Sequence, residues 1–91
     1  MSEIKLKRKH TLGLTKAKVA AQKVADDLAQ EYGMTSEWDG NVIRFNRSGV
    51  HGELKVAKDE VVLNAKLGFL LAAFRHRIEE HINDNFDRYF V

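Results

Sequence analysis

The 91-residue sequence contains no cysteine, no proline and a single tryptophan. Without cysteine there is no disulfide, no thiolate metal ligand and no thiol nucleophile, an economy that suits a reducing cytosol. Proline, low-complexity tracts and internal repeats are all missing, so nothing in the sequence divides the chain. Long apolar runs are missing as well. The longest, Phe69 to Phe74, is far below the ~20 residues of a membrane span. The opening MSEIKLKRKH is basic but lacks the apolar run that a signal peptide places behind its charges, so the expected address is cytoplasmic. Net charge is only +2. A nucleic-acid-binding domain of this size usually carries a larger basic excess, with a reading helix or an aromatic platform, and the sequence offers neither.

What is present describes one domain, residues 1–91, in which 44% hydrophobic residues can fill one core. From Glu3 to His10 the chain alternates, with Ile4, Leu6, Arg8 and His10 on one side and Glu3, Lys5, Lys7 and Lys9 on the other, which predicts a first strand. A helix follows. Thr15 stands where an N-cap belongs, Ala17, Ala21, Val24, Leu28 and Tyr32 recur at helical spacing, and Gly33 suits the left-handed terminus. Beyond it come short alternating segments, Met34 to Trp38 and Asn41 to Arg47, joined by the hairpin signal Asp39-Gly40. Ser48-Gly49 and Lys58-Asp59 mark further turns around Val50 to Ala57 and Glu60 to Leu67. After Gly68 a second helix places Leu71, Phe74, Ile78, Ile82, Phe86 and Tyr89 on one stripe. The order β-α-β-β-β-β-α predicts an α+β fold, an antiparallel sheet with two helices packed on one face. The other face then presents Lys5, Lys7, Arg44, His51, Glu53, Lys55, Val62 and Lys66, open to water or to a ligand or second copy.

No residue set assembles a catalytic centre. His76 and His81 are five apart in a helix, where ligand pairs use three or four. His10, at a strand end, and His51, on the outer register, read as solvated. Ser48 and His51 lack a third orienting group, and Gly49 and Gly52 lead into a strand rather than a phosphate-binding helix terminus. The expectation is therefore a protein without enzymatic activity, metal or cofactor. The basic edge Lys7, Arg8, Lys9 and His10 suits phosphate contact, yet lysines on an edge strand also guard against aggregation. The apolar run before the second helix exceeds what one core-facing stripe uses. Leu70, Ala73, Phe90 and Val91 are accordingly the candidate partner surface.

The segments KRKHTLGL at 7–14, VIRFNRSGVHGEL at 42–54 and LGFLLAAFRHRIEEHI at 67–82 resemble those of the putative polyhydroxyalkanoic acid system protein family. The matching residues are Arg8, His10, Leu12 and Gly13, then Arg44, Phe45, Arg47, Ser48, Gly49, Val50 and Gly52, and finally Leu67, Gly68, Phe69, Leu70 and Leu71. The resemblance implies a bacterial, granule-associated accessory protein of storage-polymer metabolism, with a protein or polymer-granule partner and a homodimer among the arrangements to test. It brings no catalytic residues. The long repetitive helices of phasin-type coats are missing from the sequence. The alternatives are a small apolar-ligand (acyl) carrier, which needs an enclosed pocket between sheet and helices, and a nucleic-acid-binding domain.

Overall fold

Strand alternation and helical spacing resolve, in a computed structural model describing residues 2–69 and 71–90, into a two-layer α+β sandwich. The elements are β1 (Ser2–Lys9), α1 (Gly13–Tyr32), β2 (Thr35–Asp39), β3 (Val42–Arg47), β4 (Val50–Val56), β5 (Glu60–Leu67), a 3₁₀ turn (Ala72–Phe74) and α2 (Arg75–Tyr89). The sheet is antiparallel throughout, ordered β1-β5-β4-β3-β2. β1 and β2 thus lie on opposite edges. The 20-residue α1, about 30 Å long, carries the chain from one edge to the other. Three hairpins then bring it back until β5 pairs with β1.

Both helices cover one face, α1 over β2, β3 and β4 and α2 over β1. Strand periodicity sends Ile4, Ile43, Phe45, Val50, Leu54, Val56, Val61, Leu63, Ala65 and Leu67 into that layer, all buried. α1 answers with Ala17, Ala20, Ala21, Val24, Ala25 and Leu28, and α2 with Ile78, Ile82 and Phe86. Four alanines on the buried side of α1 let the helix approach the sheet closely. Polar contacts set its position. Trp38 Nε1 donates to Gln22 Oε1 at 2.7 Å with Lys18 Nζ 4.9 Å from the indole centroid, and Tyr89 donates to Asp27 at 2.9 Å, joining the helices.

Three local expectations are corrected. α1 starts at Gly13 behind Leu12, with no side-chain cap, so Thr15 is an exposed first-turn residue and not the N-cap. The first hairpin turns on Gly40-Asn41, since Asp39 still pairs with Val42. Of the two loop residues only Gly40 takes positive φ, at 63°, so the turn needs one left-handed residue rather than the two of a type I′ turn. α2 begins at Arg75, not just after Gly68. Phe74 therefore sits in the connection, 51% exposed, and is not part of the core stripe.

Candidate interaction site

Register builds the helix-free face row by row. Glu3, Lys66, His51, Asn46 and Thr35 lie side by side across the five strands, and Lys5, Asn64, Glu53, Arg44 and Glu37 form the next row. These residues line an open hollow of about 740 Å³. Its charges are largely matched, with Lys5 to Glu3 at 3.7 Å, Lys55 to Glu53 at 3.6 Å and Arg44 to Asp39 at 3.1 Å. Exposed pairs of this kind contribute about 0–1 kcal/mol each, and cations and carboxylates alternate too closely to give the face one sign. This hollow lies on the side away from the helices, whereas an acyl carrier needs its pocket between the layers.

The residues of the basic edge, Lys7, Arg8, Lys9 and His10, lie at the end of β1. Alternation divides them between two faces: Lys7 and Lys9 point to the open side, where Lys7 pairs with Glu60 at 3.5 Å, while Arg8 turns inward to Asp87 and lies 6.0 Å from the Phe86 centroid. His10 is buried, contrary to its reading as solvated. Its Nδ1 accepts the Leu12 amide at 3.2 Å and its Nε2–H donates to Ala57 O at 3.1 Å. One ring therefore ties the end of β1 to the start of α1 and to the β4–β5 turn. His76 is paired with Glu80 at 3.1 Å, and His81 stacks edge-on against Tyr32 at 5.6 Å. Burial and the neighbouring Glu31 raise the Tyr32 pKa above its ordinary 10, against a smaller opposing effect of Arg77.

At one end of the molecule the β3–β4 turn meets the β5–α2 connection. Gly68 N–H donates to Gly49 O at 2.7 Å, and the two backbones are so close that a Cβ on Gly68 would lie 3.3 Å from Gly49 Cα and O. Leu71 packs over Gly49, 3.3 Å from where a Cβ would stand, and the Leu71 and Ala72 amides return to Gly68 O, both at 3.1 Å. Arg47, beside this turn, donates to the Tyr32 carbonyl at the end of α1. The connection is thus pinned at its start and closed by the 3₁₀ turn, and from it Phe69 projects with 90% of its surface exposed.

Of the candidate partner residues, Leu70 and Val91 lie outside the described residues. Ala73 is exposed beside Phe74. Phe90 is corrected: it is 3% exposed and packed between the rings of His10 and Phe86, at 5.5 and 5.6 Å. The two exposed rings of this connection, Phe69 and Phe74, are not among those four candidates. Phe74 fits the helix stripe by spacing alone, and the Gly68 turn from which Phe69 projects packs on Gly49, a residue remote in sequence.

A model of the family described as "Putative polyhydroxyalkanoic acid system protein" matches residues 4–90. No curated protein and no solved structure matches the chain. The three segments that carried the resemblance have clear places in this architecture. His10 is the three-way tie, Gly49 and Gly68 are the close approach, and Gly52 lies where a Cβ would come within 2.9 Å of Asn64 O. Val50 and Leu67 are core. Among their described large apolar side chains, Phe69 is the most exposed, at 90%, followed by Phe74 at 51% and Leu14 at 37%.

Proposed function

Because the chain belongs to the putative polyhydroxyalkanoic acid system protein family, we propose that it is a non-enzymatic accessory protein of storage-polymer metabolism that acts by attachment. The attaching element is the β5–α2 connection. The observation that supports this reading is Phe69, a large apolar ring 90% exposed on a segment held in place by backbone hydrogen bonds. Fully burying a phenylalanine against a partner is worth about 1.5–3 kcal/mol. Ala73 and Phe74, exposed on the same connection, add to its apolar surface. In this reading the helices and sheet are a rigid mount, and the polymer granule of a bacterial cytoplasm is where the mount is used.

The test is co-purification of the chain with granules from polymer-accumulating cells. Wild type is recovered with the granule fraction, Phe69→Ser is lost from it, and both melt at the same temperature. Equal recovery of the two proteins removes the connection as the attachment element.

A further inference from the structure

Phe69 and Phe74 line none of the described hollows. They are projecting rings, and a protein partner would have to supply a matching pocket for each. A fluid interface takes such rings without one.

The residues beside them carry a sign. The first turn of α2 reads Arg75-His76-Arg77, all three exposed, with no acidic residue in that turn. The helix dipole opposes cations at this end and favours carboxylates, yet the carboxylates of α2, namely Glu79, Glu80, Asp84 and Asp87, begin only beyond it. Among the described residues Arg75 makes a hydrogen bond from Nε to Glu3 O at 3.1 Å, and His76 reaches Glu80. Lys66, exposed at the end of β5, adds another cation close in sequence to Phe69. Local helix energetics therefore work against this placement, which instead sets positive charge next in sequence to the exposed ring of Phe74, with Arg77 also near enough to Tyr32 to act on its phenol.

We infer that the surface this site docks on is an anionic lipid layer. Phe69 and Phe74 enter the acyl boundary, while Arg75 and Arg77 meet the headgroup phosphates, each cation near a negative surface adding to the attraction until salt screens it. The inference rests on the attachment reading above and names what is attached to.

Co-sedimentation of the full chain with phosphatidylcholine vesicles, with and without phosphatidylglycerol, tests it. Wild type binds the phosphatidylglycerol vesicles more tightly, and the preference shrinks as salt rises. Phe69→Ser weakens binding by about tenfold or more, and Phe69→Trp, which keeps a large aromatic ring, retains it. Arg77→Gln reduces the preference for phosphatidylglycerol and leaves the residual binding to phosphatidylcholine unchanged. Equal binding to both vesicles, or binding indifferent to Phe69→Ser, overturns the inference. Should no vesicle bind while Phe69→Ser still abolishes granule recovery, the lipid is wrong and attachment to a protein or the polymer itself stands. Loss of neither property in Phe69→Ser removes both readings.

Discussion

The ring of Phe90 lies 5.5 Å from that of His10, at an interplanar angle of 44°, so the last described residue of the chain closes over the histidine that follows the first strand. His10 in turn spends both nitrogens on backbone groups of two other segments. Fold closure therefore depends on a polar residue at a site where an aliphatic side chain would leave the Leu12 amide and the Ala57 carbonyl without these partners.

His10→Ala is expected to destabilise the protein by about 1–3 kcal/mol, the range for leaving buried polar groups unsatisfied. Urea denaturation monitored by circular dichroism measures it. A midpoint within error of wild type would show that water replaces the ring without cost.

Leu54 and Phe74 should behave oppositely. Leu54 is fully buried in the central strand, and its replacement by Ala is expected to cost about 2–5 kcal/mol through lost burial and the cavity left behind. Phe74→Ala removes a half-exposed ring and should stay within about 1 kcal/mol while lowering recovery with the granule fraction. Paired denaturation curves decide, and a large loss in the Phe74 variant would return that ring to the core.

Glycine positions separate space from backbone angle. A Cβ at Gly52 would stand 2.9 Å from the Asn64 carbonyl and 3.1 Å from Ala65 Cβ, so Gly52→Ala must spread β4 from β5 and is expected to cost about 1–3 kcal/mol. Gly40→Ala meets nothing within 4 Å but inherits a φ of 63°, a penalty of about 1–2 kcal/mol. Thermal melts of the two variants, together with Gly40→Asn, resolve the causes: Asn tolerates the left-handed angle and should recover part of the loss at position 40.

Alkaline pH should weaken the fold through Tyr32. Its pKa is raised by burial and by Glu31, so the folded state holds the phenol proton more tightly than the unfolded chain does. That contribution is fully present below pH 10, the unfolded value, and is lost as pH rises through the folded one. Tyr32→Phe should flatten the fall in melting temperature above about pH 10 relative to wild type. An unchanged slope would assign the alkaline loss to other groups.

Periodicity alone determined the element order and nearly every inward strand residue, because a half-buried strand must alternate and a covered helix must repeat its apolar face. Ile4, Leu54, Leu63, Val24 and Ile82 were legible for that reason. The open face was legible too, as the complement of the buried one. Tertiary structure decided what depends on residues distant in the chain. His10 looks like one more polar residue until Ala57 and Phe90 arrive around it, and Phe90 looks available until His10 and Phe86 enclose it. Phe74 fits a helical stripe in sequence, but the close approach of Gly68 to Gly49 delays the helix and leaves the ring outside. The same approach turns Phe69 toward water. Spacing records which side chains share a face, whereas the direction of a connection between elements is fixed by the backbone against which it packs.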